Sequence, residues 1–329
     1  MSFLDICELS VEGIPAVRLE NEWLIVVVLV GKGADVWELI YKPLGIDLLM
    51  KTKSGLEPLH GRDLRSKPLT HYAKPYPGGW QELLPNRALF GGREIGHDRE
   101  GESACVPWEF ELRRNVAGEI AVRCRVALTE SPLIVVKEFR LRAGKPELFV
   151  EEEVEGVGGW PVQFIWTQHP AFGEPLVDGS ARISLPPGSR VFQALWYDAA
   201  PDSRALLSSF EEEVGKITLD NGRIKDLREA EQRRMDGDNC FVSLFGFEEA
   251  EVGIDNPRLG IRLRLMWDKE TWPHLRYWSS NNEEMYTVAL EPSNSRFSDI
   301  HDSLKHGEAL TLHPGEKCSA WMRLRVERL

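Results

Sequence analysis

Short segments rich in β-branched and aromatic residues, separated by Gly, Pro, Asn and Asp turn signals, recur along almost the whole chain. This recurrence restricts the fold more than any other feature. Trp23–Val30 (WLIVVVLV) and Ala34–Tyr41 flank a Gly-Lys-Gly turn, and a Lys42-Pro43-Leu44-Gly45 turn follows. Further strands are expected at Trp108–Arg114, Glu119–Leu128, Leu133–Leu141, Glu147–Val154 and Gln163–His169, where Pro170 is expected to end the strand. Others follow at Ala181–Leu185, Lys216–Leu219, Cys240–Phe247, Glu251–Ile254, Gly260–Met266, Leu275–Trp278, Met285–Glu291, Ala309–Leu312 and Lys317–Val326. Helical patterns are scarce. Arg223–Met235 has a helix-like composition with a weak apolar face, and Phe297–Lys305 reads as a short helix ending at His306-Gly307. No helix alternates with the strands in the manner of a βαβ unit, so the expected fold is all-β: one large antiparallel β-sandwich spanning 1–329, with few short helices.

Composition narrows the function classes. With 329 residues and 42% hydrophobic content, the chain can bury a substantial core. The net charge of -12, with no block of Lys or Arg to track a phosphate backbone, argues against nucleic acid as a partner. The longest apolar run, Trp23–Val30, is too short to span a bilayer, and MSFLDICELS lacks the basic start of a secretory signal. Five scattered cysteines without a CxxC pair or Cys/His cluster point to neither a disulfide framework nor a metal site, and they suit a reducing cytoplasm. The acidic run Glu151–Glu153 reads as solvated surface.

Two regions stand out as candidate sites. From Lys51 to about Gly101 regular periodicity fades among prolines and glycines, yet Tyr72, Tyr76, Trp80 and Phe90 make the stretch too aromatic for disorder. It reads as an ordered excursion lining a site. The second region is QFIWTQHPAFG (Gln163–Gly173). Alternation puts Phe164, Trp166 and Gln168 on one face and Ile165, Thr167 and His169 on the other, leaving a titratable side chain at the end of the more polar face. Of the 11 tryptophans most belong in a core, but Trp80 in the excursion and Trp278, beside Ser279, Ser280, Asn281 and Asn282, are candidate platforms for a sugar ring. His274, His301, His306 and His313 read as surface or turn residues.

Six stretches, in order, resemble the galactose mutarotase-like (aldose 1-epimerase) superfamily. They are the hairpin Asn21–Leu49, YPGGWQELLPN (Tyr76–Asn86), GHDREGE (Gly96–Glu102), QHPAFG (Gln168–Gly173), VALEPSNS (Val288–Ser295) and the closing stretch Gly307–Val326. The resemblance implies a β-supersandwich that binds a small carbohydrate and interconverts its anomers without a metal or redox cofactor. It places Glu291 where the family has the base for the anomeric hydroxyl proton and His169 where it has the acid for the ring oxygen. His97 falls on a second, supporting histidine, and Arg87, with Arg93 as a competing alignment, on a sugar-binding arginine. Gln168, Trp80 and Trp278 complete the candidate substrate-binding set. The residues themselves agree for Glu291: along Met285–Glu291 the bulky Tyr286, Val288 and Leu290 share one face, and Thr287, Ala289 and Glu291 share the other. A Glu/His pair can take and give the two protons near neutral pH. A free sugar and a phosphorylated one both remain open, and a binding protein on the same fold is the alternative to an enzyme.

Overall fold

The computed structural model describes residues 3–56, 76–95, 101–192, 205–206, 215–219, 223–234 and 239–329. Two antiparallel sheets face each other, of thirteen and eight strands. The site is carried by the larger one. Its centre consists of β1 (Trp80–Phe90), β2 (Val162–Gly173), β3 (Asn239–Phe245), β4 (His274–Asn281) and β5 (Tyr286–Ser293), laid side by side in the order β1-β2-β5-β4-β3. Leu4–Val11, Ile14–Asn21, Leu24–Leu29 and Asp35–Tyr41 extend it beyond β1. The smaller sheet includes Leu133–Arg142, Glu147–Gly156 and Lys317–Arg328. Val162, Phe164 and Trp166 from one sheet and Val135, Phe139, Val150 and Met322 from the other join one buried apolar cluster between them. The period-2 alternation of each strand thus sends its bulky face inward. Among the described residues, no helix is long and apolar enough to cross a membrane.

Most of the expected strands form, Leu4–Val11 and Ile14–Asn21 form in addition, and four local corrections are needed. First, β2 does not stop at Pro170 but runs on to Gly173. Its ladder to β5 is broken between Thr167, opposite Ser293, and Ala171, opposite Ala289, and the missing N–H of Pro170 falls in that gap. Second, the excursion contains β1, an eleven-residue strand. Pro85 is tolerated there because the register with β2 shifts between Ile165 and Thr167, leaving it in a bulge where no ladder bond is required. Residues 57–75 and 96–100 of the excursion lie outside the described residues. Third, 223–234 is not helical. Ile224–Asp226 is a strand paired with Lys216–Leu219, and the weak apolar face was the sign of this. Fourth, Glu152 is not solvated. It is buried between the sheets, while Glu151 and Glu153 on the outer face pair with Arg140 and Lys317. The short helix does form, as Ile300–Lys305, with the Asp299 carboxylate accepting hydrogen bonds from the His301 and Asp302 backbone N–H groups.

Candidate active site

The site lies on the face of the large sheet turned away from the sandwich interior. In β5, Tyr286, Val288 and Leu290 enter the core, so Thr287, Ala289 and Glu291 face outward. Register places Arg276 of β4 opposite Glu291 and Trp278 opposite Ala289. In β2, Phe164, Trp166 and Phe172 enter the core, so His169 and Ala171 face outward with them. His169 falls in the interrupted stretch of the β2–β5 ladder, beside Glu291. His169 Nδ1 lies 2.8 Å from Glu291 Oε1, with side chains 13% and 3% exposed. The N–H is not aimed along that line, and neither atom makes a hydrogen bond to a described residue. Both atoms are themselves buried.

The two sides of this pair differ in character. On one side Met50, Ala171 and Ala289 form a small buried apolar patch with Tyr76, Trp278 and Met285 packed on it. On the other side lies Arg276, 2% exposed. Its guanidinium donates to the Ser295 carbonyl at 3.1 Å, the Phe297 carbonyl at 2.6 Å and Asn86 Oδ1 at 3.0 Å. Burial pulls its pKa down to about 10, against the opposing pull of Glu291 and Glu308, so it stays a fixed cation near Glu291 at neutral pH. Sequence reading passed over Arg276. The available signal was a charged residue between Leu275 and Tyr277 in a strand whose other face is apolar. His274 also needs correcting: it is buried in β4, not at the surface. Desolvation first, then Arg296 and Arg276, push its pKa down to about 3, so it stays neutral at physiological pH.

The candidate residues separate into four groups. Glu291, His169 and Trp278 come together on the outward face. Arg87, half-buried, stands opposite Ile165 at the far end of β2, four residues or roughly 13 Å along the strand from His169. Arg93 is exposed in the short strand Arg93–Ile95 paired to the end of β1. His97 lies outside the described residues, as do His60 and His71. Trp80 and Gln168 point the other way. They are 3% and 0% exposed, and Trp80 Nε1 donates to Gln168 Oε1 at 3.0 Å inside the sandwich. Alternation, which separates Gln168 from His169, removes both from any substrate contact on the outward face.

Trp80 and Gln168 belong instead to a buried charge cluster behind the site. Lys137 Nζ lies 2.8 Å from Glu82 and 3.6 Å from Glu152. Gln168 Nε2 donates to Glu152, and Trp166 Nε1 donates to Glu82 at 2.8 Å. Burial alone would lower the Lys137 pKa, but Glu152 and Glu82 overcome that and hold it raised. Burial would raise Glu82, but Lys137 outweighs it and holds that carboxyl low. Burial and then the charge of Glu82 push Glu152 well above the usual carboxylate range. Of the two carboxyls, Glu152 is thus the one that burial and the charge of Glu82 favour in its protonated form.

The unfolded chain releases that proton above about pH 4.5, so the stability contributed by Glu152 is complete below that point and declines as pH rises towards its folded-state value. Glu152→Gln keeps the uncharged shape and should remove the decline. In denaturant titrations it should match the wild type within about 1 kcal/mol near pH 4.5 and exceed it at pH 8. A variant weaker than the wild type at pH 8 contradicts the assignment. Among the described residues no group of three or more His, Cys, Asp or Glu gathers that could hold a metal ion.

Residues 243–326 match a domain of unknown function, DUF4432. No curated protein matches the sequence. Among solved structures, a galactose mutarotase-like protein from Clostridium acetobutylicum aligns at TM-score 0.70 and 14% identity, over 99% of this chain and 99% of its own. Galactose 1-epimerase from Lactobacillus acidophilus NCFM aligns at 0.59 and 12% identity, over 100% of this chain and 99% of its own. A galactose mutarotase-like protein from Lactobacillus casei aligns at 0.60 and 15% identity, over 95% and 100%. At these identities the likeness shows the fold: this chain has the galactose mutarotase-like β-sandwich.

Proposed function

We propose that the chain is an aldose 1-epimerase-like isomerase that interconverts the α and β anomers of a sugar or sugar phosphate. The observation that carries the reading is the 2.8 Å approach of His169 Nδ1 to Glu291 Oε1 on the outward face of the large sheet, with neither atom hydrogen-bonded to a described residue. Anomerisation needs this economy. The C1 hydroxyl and the ring oxygen are bonded to the same carbon, so the group that takes one proton and the group that gives the other must be neighbours.

In the proposed cycle Glu291 takes the C1 hydroxyl proton as the C1=O bond forms. The bond from C1 to the ring oxygen breaks, and protonated His169 gives that oxygen a proton. The open aldehyde turns about C1–C2, and the ring closes with the two proton transfers reversed. Ala171 and Ala289 put only small side chains on the sheet face next to the pair, and Arg276 keeps a positive charge near Glu291. His97 remains the candidate for a supporting histidine and Arg87 for a binding arginine. The free thiols, with Cys105, Cys124 and Cys240 buried, suit a reducing compartment such as the cytoplasm.

Polarimetry on freshly dissolved single anomers tests the reading. The wild type should speed the relaxation of at least one sugar, and His169→Asn should lose most of that acceleration, about 10²-fold or more. If the chain only binds carbohydrate, some sugar will bind while relaxation stays at the buffer rate.

A further inference from the structure

In the sequence Trp278 reads as a platform for substrate, but its surroundings in the structure point to another task. Three rings meet beside the proposed acid/base pair. The His169 imidazole lies over Trp278 at 5.6 Å between centroids and 29° between planes. Tyr76 approaches both edge-on, at 5.1 Å from His169 and 5.9 Å from Trp278. The indole is itself anchored, since Trp278 Nε1 donates to Asn239 Oδ1 at 2.7 Å. Register places it opposite Ala289 of β5 on one flank and Phe241 of β3 on the other.

We propose that Trp278, anchored by Asn239 and braced by Tyr76, is a positioning residue that holds the His169 imidazole at Glu291, and not a platform for the substrate ring. The inference rests on the proposed isomerase reading and adds a residue to it. The physical reason is that His169 Nδ1 has no aligned hydrogen bond to a described residue to fix its ring. A histidine side chain turns about two bonds, and without an oriented hydrogen bond only packing can set its plane. Trp278 supplies the face and Tyr76 the edge, in the offset and T-shaped arrangements that aromatic pairs favour. The imidazole is thereby held with Nδ1 at Glu291. Nε2, which makes no hydrogen bond to a described residue, is the nitrogen turned to the substrate. The imidazole thus occupies one face of the indole.

The experiment is a split between kcat and KM in anomer exchange, measured for the wild type, Trp278→Leu and Trp278→Phe, with the His169 ring resonances recorded by NMR on the same samples. Trp278→Leu should lower kcat about 10-fold, as expected for a misplaced catalytic group, with KM changed less than about 2-fold. Trp278→Phe, which keeps an aromatic face, should recover most of kcat. In the wild type the imidazole protons should carry the upfield shift of a ring stacked on indole, and Trp278→Leu should lose it. A raised KM with unchanged kcat in Trp278→Leu makes Trp278 a substrate platform and overturns this inference alone. Absence of exchange in the wild type overturns the isomerase reading and this inference with it. If Trp278→Leu does not fold, Trp278→Phe and Asn239→Ala carry the same kcat-against-KM comparison, and a KM-only effect in both overturns the proposal.

Discussion

Glu291→Gln should lower the rate of anomer exchange by ~10²-fold or more while leaving sugar affinity largely unchanged. Glutamine has the size of glutamate and still hydrogen-bonds, but it cannot accept the C1 hydroxyl proton. The change should also be mild structurally. Arg276 is held by the Ser295 and Phe297 carbonyls and by Asn86, with no bond to Glu291, so removing the carboxylate charge leaves that anchorage intact. Comparing turnover with affinity by calorimetry separates the two effects. Full exchange in the variant would exclude Glu291 as the base, and lost affinity with unchanged turnover would make it a binding residue.

Lys137→Met should cost about 3–5 kcal/mol of stability, because it leaves the buried Glu82 carboxylate, with Glu152 beside it, without the cation that compensates it. Glu82 is 0% exposed and Glu152 3%, so neither can reach water when the ammonium is gone. The loss should be partly recovered by adding Glu82→Gln, which removes the charge that Lys137 compensates. The cluster joins the two sheets, with Glu82 on the large one and Lys137 and Glu152 on the small one, so the transition should remain cooperative but move to lower denaturant. Chemical denaturation of both variants measures this. A shift under about 1 kcal/mol for Lys137→Met would mean that water or a rearranged carboxylate already compensates the charge.

Much of this architecture is legible in the sequence because each strand faces water or the sheet's outer face on one side and a core on the other. Tyr286, Val288 and Leu290 against Thr287, Ala289 and Glu291 is readable residue by residue, and so is Phe164 and Trp166 against His169. The failures have physical causes. Pro85 and Pro170 look like strand breakers, and only the neighbouring strands show that a bulge and a ladder gap excuse the missing N–H groups. The opening hairpin Leu4–Val11 and Ile14–Asn21 escaped notice although Glu12-Gly13, both at positive φ, form its two-residue turn.

Charges inside the sandwich are the harder case. Glu152 sits in a run of three glutamates, and nothing local says that the middle one meets Lys137 and Glu82 across the core. Arg276 is similar, because its partners at Asn86, Ser295 and Phe297 are brought to it by pairing of strands far apart in the chain. The candidate site was legible only where its residues carried alternation. Gln168 next to His169 shows how one step along a strand separates a core residue from a surface one.

The central claim is that this chain catalyses anomer exchange, and exchange spectroscopy tests it most directly. NMR magnetisation-exchange spectra recorded with the wild type across free and phosphorylated aldoses should show α–β cross-peaks for at least one sugar, at a rate proportional to protein concentration and far above that in buffer. A sugar that binds, as seen by line broadening or chemical-shift change, while α–β exchange stays at the buffer rate would contradict the account.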